Sequence, residues 1–201
     1  MHPIAQYFSE KYPDSFKILE FEGQNFILFK PKSAPTTSVL MTVGLSDFKM
    51  PVHEKHTGEE FNELYFLLPS YWDLSVDNPK FNWVFSWLNR LKKYVVEKNT
   101  WFGHGHTMPC GAEMKPLSET MQQNHFFLLR PNLVSEDLKP IEIEGRQVHF
   151  LSVVPIFGDE MDYKQGKGTK KLEEKMKNAG VSEQLDDFRK TVLKTRWNFF
   201  G

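Results

Sequence analysis

Five of the seven histidines of this 201-residue chain fall into three short segments: His53 with His56, His104 with His106, and His125. Neutral imidazole is a common metal ligand, and a His-x-His pair on an extended segment projects both rings from one face. No HExxH, CxxC or DxDxDG spacing accompanies them, so further ligands would come from Glu63, Glu97 or Cys110 without a spacing argument. The plain alternative is surface or capped histidines that titrate near neutral pH. Cys110, the single cysteine, follows His104 and His106 closely and invites a Cys-His nucleophile reading. Proximity along the chain is weak support for it, and a small buried thiol is the simpler account. QGKGTKK (165–171) has the look of a phosphate loop, but its Gly-Lys-Gly-Thr order departs from the Gly-Lys-Thr of a P-loop. It reads instead as a solvated loop entering a basic helix. Six lysines between Lys164 and Lys177 could meet an acidic partner, diluted by Glu173 and Glu174. Trp101 and Phe102, beside Gly103 and Gly105, could anchor a peptide, because large aromatics dominate interface energetics. Alternatively Trp101 plugs the core.

Elements that would hold these residues are readable from pattern. Pro3 followed by IAQYFSEKY predicts a short helix, with Ile4, Tyr7 and Phe8 on one face. FKILEF, the turn signal EGQ and FILFK predict a hairpin from Phe16 to Lys30. Strands follow at Ser38 to Gly44 and along FNELYFLLP to Pro69, with a long polar excursion between them. Phe81, Val84, Phe85, Leu88, Leu91 and Val95 recur at helical spacing and predict a helix from about Pro79 to Lys98. TWFGHGHTMP reads as a Gly-rich segment, HFFLLRP as a strand, and VHFLSVVPIF as a central strand apolar on both faces. Two helices should close the chain, one from Thr169 to Asn178 and a last one capped by Ser182.

Composition narrows the class. Twenty-five Lys+Arg against 26 Asp+Glu give a net charge of -1, without the basic excess of a nucleic-acid binder. Eighteen Phe and only four Ala favour sheet with a few helices over a helical bundle. The longest apolar stretch, Val148 to Phe157, is interrupted by His149, Ser152 and Pro155 and is short of the ~20 residues of a membrane span. The first residues carry no signal-peptide pattern, and one cysteine needs no oxidising compartment, so the expectation is a cytoplasmic protein without membrane association. No linker or repeat divides residues 1–201, which read as one domain.

Taken together, TVGLSDFKMP (42–51), ELYFLLP (63–69), WLNRLKKYVVEKNTWFGHGHT (87–107), VHFLSVVPIFGDEMDYKQGKG (148–168) and GVSEQLDDFRKTV (180–192) resemble the suppressor of fused family, most strongly over residues 39–192. The resemblance implies an α/β (α+β) single domain, in which a mixed, largely antiparallel sheet carries helices on its faces. It implies a non-catalytic role in binding protein, without a cofactor. Animal members grip a short extended peptide of a Hedgehog-signalling transcription factor between this domain and a second one, for which this chain has no room. Short single-domain bacterial members include proteins that resemble immunity proteins, so a toxin domain is one candidate partner. Tyr94 and His106 match a tyrosine and a histidine of the animal peptide site, whereas Gly105 stands where those members have an acidic residue. That departs from animal-type recognition, while strand-edge binding through main-chain hydrogen bonds does not depend on one side chain. The expected contact surface is Tyr94, Trp101, His104 and His106, with Ser46, Asp47 and Lys49 as a second candidate. The alternative is a metal-dependent or small-ligand enzyme built on His53, His56, His104 and His106.

Overall fold

The computed structural model describes residues 1–72, 74, 78–111 and 113–193. Helix α1 (Pro3–Lys11) starts as expected, with Pro3 in its first turn and the His2 ring accepting a hydrogen bond from the Ile4 N–H. Strands β1 (Lys17–Phe21) and β2 (Gln24–Phe29) form the predicted hairpin. Its two-residue turn, Glu22-Gly23, has both residues at positive φ, as a tight turn that follows the strand twist requires. Next come β3 (Thr37–Thr42) and β4 (Phe61–Pro69), then α2 (Trp83–Glu97), preceded by a 3-10 turn at Pro79–Phe81. The remaining elements are β5 (Thr107–Pro109), β6 (His125–Leu129), β7 (Ile141–Ile143), β8 (Arg146–Ile156), α3 (Gly158–Lys167) and α4 (Thr169–Asn178).

All eight strands join one mixed sheet in the order β1-β2-β3-β4-β8-β6-β5, with β7 beside the first half of β8. Every pairing is antiparallel except β4 with β8, whose register runs from Phe61 opposite Val148 to Tyr65 opposite Ser152. Alternation along β3 and β4 sends Leu40, Leu64, Phe66 and Leu68 to one face, where they meet Val84, Phe85, Leu88, Leu91 and Val95 of α2. Val39, Met41, Tyr65 and Leu67 go to the other face, under Ile4 and Phe8 of α1. Farther along that second face, Phe127, Val154 and Ile156 pack beneath Leu172 and Met176 of α4. The result is helix, sheet, helix in three layers, as the sequence led one to expect.

Three expectations need correction, and one hairpin is additional to them. The Gly-rich segment ends in a real strand, β5, and a second Glu-Gly turn at Glu144-Gly145 makes a hairpin of β7 and β8. Both strands have three residues, too few to show a period. Gln165 to Lys167 are not a loop but the last turn of α3, whose start is fixed by Glu160 accepting from the Phe157 N–H. No helix follows Ser182 among the described residues. There Leu185 N–H donates to the Leu67 carbonyl, and the Glu183 carboxylate accepts from the main-chain N–H groups of Asn132, Leu133 and Val134. A helix would have to give up these long-range bonds.

Glu183 is one of four carboxylates used in this way. Glu63, fully buried, accepts from Thr42 Oγ1, from the N–H groups of Gly44 and Ser46, and from Ser46 Oγ. Burial pushes its pKa up, against those hydrogen bonds and the Lys92 charge. Asp137 accepts from Tyr12 Oη, Ser33 Oγ and the N–H groups of Lys32 and Ser33. Glu160 receives a bidentate pair from Arg189 at 2.6 and 2.7 Å, with both side chains almost wholly out of solvent.

These anchors generate two predictions. Arg189→Met leaves the Glu160 carboxylate buried without its counter-ion and should cost about 3–5 kcal/mol in denaturant unfolding, while Arg189→Met/Glu160→Leu should recover part of the loss. At Asp137 burial favours the neutral acid, but the hydrogen bonds from Ser33, Tyr12 and Lys32 outweigh it and hold its pKa below the usual aspartate range. The stability so gained is present above the unfolded-state pKa and lost as pH falls through the folded one. Asp137→Asn should therefore melt lower than wild type at neutral pH yet lose less on acidification from about pH 5 to 3, as melting temperatures against pH would record.

Candidate functional site

The last strand on one side of the sheet is β5, which among the described residues pairs only with β6. Its hydrogen-bond pattern fixes which groups face outward. Cys110 N–H donates to the Asn124 carbonyl and Leu128 N–H to the His106 carbonyl, so the main chains of residues 106, 108 and 110 face β6. Those of Thr107 and Pro109 then point away from the sheet. The free edge therefore offers the N–H and carbonyl of Thr107 and the carbonyl of Pro109.

Side chains from both faces of the sheet meet the start of this edge, at His106 and at Thr107. On the α2 face, the Trp101 ring stands 4.3 Å from His106, 4.8 Å from His56 and 5.7 Å from His53 between centroids, and Tyr94 stacks on Phe102 at 6.1 Å. Tyr94 is 40% exposed, whereas Trp101 is half-buried against the core. The Trp101 ring lies over Gly103, where a Cβ would come within 2.6 Å of it. On the opposite face Lys164 of α3 donates to Thr107 Oγ1 at 3.4 Å. Burial lowers the Lys164 pKa, and burial, then the charges of Lys164 and His56, lower that of His106.

Tyr94, Trp101 and His106 thus share one neighbourhood. His104 turns the other way, its Nε2 lying 3.4 Å from Glu173 of α4 and its Nδ1 accepting from the Arg130 N–H. His53, His56 and His106 surround an indole rather than a common ligand point, and among the described residues no group of three or more His, Cys, Asp or Glu is arranged to hold a metal. His125 is buried and bonds to Asn124, away from the others. Cys110 is half-buried and burial pushes its pKa up to about 12, so it is a protonated thiol at neutral pH rather than a nucleophile.

The second candidate loop divides. Ser46 is buried and committed to Glu63, while Asp47 and Lys49 are exposed. Asp47 bonds to His2 and Arg146, which together outweigh its burial and hold its pKa low. This loop joins the aromatic group through Met50, whose sulfur accepts from the Phe102 N–H at 3.5 Å.

Gly105 has a physical reason to lack a side chain. Its φ is +88°, and a Cβ there would meet Thr169 Oγ1 at 2.9 Å. Thr169, the first residue of α4, fills the space where the resemblance implies an acidic side chain in animal members. Thr107 escaped the sequence reading because β5 lay in an apparent Gly-rich segment, and Lys164 could be read there only as one of six lysines because α3 lay in an apparent loop.

Comparison with known proteins agrees with this architecture. A family profile described as Suppressor of fused protein (SUFU) matches residues 13–190. No curated protein sequence matches the chain. A SUFU homologue from Neisseria gonorrhoeae FA 1090 shares the fold with a TM-score of 0.66 at 16% identity, over 95% of this chain and 96% of its own. A chain of the Sufu–Fu complex gives 0.66 at 14% identity, over 94% of this chain and 90% of its own. Drosophila Suppressor of Fused gives 0.63 at 15%, over 94% of this chain but 50% of its own length. Matched by the profile along most of its length and carrying the same sheet and helices, this chain belongs to the suppressor of fused family.

Proposed function

We propose that this protein is a non-catalytic module that binds an extended polypeptide along the free edge of β5. The observation that carries the reading is the outward-facing main chain of Thr107, whose side chain meets Lys164 of α3 and whose neighbour His106 packs on Trp101. A strand laid there gains main-chain hydrogen bonds from Thr107 and places alternate side chains on the two faces of the sheet. The exposed Tyr94 ring offers the apolar contact area and low conformational-entropy cost of an interface anchor. The Sufu–Fu complex, a relative of the same fold bound to another protein, supports the same class of role.

The metal-dependent alternative loses its motivation from the arrangement of the imidazoles around Trp101. Asp47 and Lys49 belong to the proposal as a second, peripheral contact, and His104 as a flank of the α4 side. A narrower role, neutralising a toxin domain as an immunity protein in the cytoplasm, is the form of this proposal that the family resemblance of short single-domain members suggests. No helix is long and apolar enough to cross a membrane, among the described residues.

Tyr94→Ala and Thr107→Pro test the edge. The first removes a half-exposed ring and the second removes the outward N–H at an edge position that tolerates proline. In affinity purification from the source lysate, each should weaken capture of the polypeptide that the wild-type protein retains by about tenfold or more, with an unchanged circular dichroism spectrum. Retained capture by both variants would put the binding surface elsewhere. Trp101→Ala is the poorer probe, since emptying the space over Gly103 should itself cost about 2 kcal/mol.

A further inference from the structure

Lys164 is the cation that bonds to β5, and this says what kind of strand fits. Lys164 is half-buried and makes its side-chain hydrogen bond to neutral Thr107 Oγ1. Among the described residues no carboxylate lies within ion-pair distance of it, and burial alone accounts for its lowered pKa. The acids nearest along α3 are otherwise engaged or turned away. Glu160, one helical turn back, is held by Arg189, and Asp162, two residues back and therefore off that face, lies beside His125. Lys167, one turn on, shares the Lys164 face. On α4, Glu173 is taken by His104 and Glu174 by Lys171. Across the edge, the Lys164 charge adds to burial in lowering the pKa of His106, which favours a neutral imidazole there. A partly desolvated cation without a counter-ion is a cost that an incoming carboxylate would remove.

Side-chain direction then fixes where the acid must stand. Thr107 sends its side chain toward α3, and Met108, its neighbour, toward the α2 face. In an added strand the residue opposite Thr107 shares the α3 side, and the residues before and after it share the aromatic side.

We infer that the strand taken at this edge is acidic, with an Asp or Glu opposite Thr107 pairing with Lys164, flanked on each side by an apolar residue resting on Tyr94 and Trp101. This rests on the edge-binding reading above. A single-stranded nucleic acid would also meet the lysines, but it has no main chain with which to pair Thr107.

The test is selection of displayed random peptides of about twelve residues against the full chain, followed by binding of the enriched peptides to Lys164→Gln, Lys164→Glu and Thr107→Pro variants with wild-type circular dichroism. Enrichment of an apolar-acidic-apolar pattern is expected. Its binding should fall about tenfold with Lys164→Gln, further with Lys164→Glu, and steeply as salt rises from about 50 to 500 mM. Replacing the peptide acid by its amide should reproduce the Lys164→Gln loss. Enriched peptides without acidic excess, bound equally by both Lys164 variants yet lost with Thr107→Pro, would overturn the inference and leave edge binding standing. Failure to enrich any peptide would overturn both. Displacement of the enriched peptides by a single-stranded oligonucleotide of equal charge, as effectively as by free peptide, would reassign the patch to nucleic acid and overturn the inference as well.

Discussion

The parallel pairing of β4 with β8 is the joint on which this structure depends. On one side of it lie β1 to β4, an antiparallel run of sequence neighbours, and on the other β5, β6 and β7 are organised around β8. The joint brings together residues about as far apart as Phe61 and Val148, so its closure entropy must be repaid by burial. Both strands are accordingly apolar on both faces: Leu64 and Leu151 lie toward α2, Tyr65 and Phe150 toward α1. Without the joint, the aromatic group and the free edge of β5 would have no fixed relation, because Trp101 and Phe102 pack on the α2 side while Lys164 follows directly from β8.

Long polar connections must nevertheless cross this apolar slab, and buried carboxylates hold them. Each of Glu63, Asp137 and Glu183 accepts from main-chain N–H groups of a loop remote in sequence, and Glu160 does so for Val192 while holding Arg189. Such groups convert turns that would otherwise be mobile into fixed supports. The Gly44–Ser46 turn ties to β4 in this way, and through Met50 the following segment reaches the loop of Phe102. Positioning at the edge is thus set by polar interactions inside the protein as much as by the core.

What was legible in the sequence was what repeats or what turns. The i, i+3, i+4 spacing of Val84, Leu88 and Leu91 marked α2, and Glu22-Gly23 marked the first hairpin. Thr107–Pro109 and Ile141–Ile143 are too short to carry a period, and α3 is too polar, being held by Glu160 rather than by an apolar stripe. The last predicted helix had favourable capping residues, Ser182 and Glu183, but tertiary bonds to residues 132–134 took the same carboxylate. Tyr94 and His106 could be proposed from motif resemblance and Trp101 from its large ring beside glycines, whereas the place of Lys164 beside β5 depended on knowing that α3 exists. The histidine grouping was real for His53, His56 and His106, and its common contact is an indole.

Pro109 occupies the second outward-facing position of β5 and has no N–H to offer. An unguarded edge strand invites any other edge, including that of a second copy of the same protein. Here the free donors end after one residue, and a copy approaching with its own β5 would meet the same truncated edge. Two such edges can exchange few hydrogen bonds and would bring Lys164 of each protomer toward the other. A single proline thereby denies identical chains the continuous ladder on which fibrillar stacking would grow.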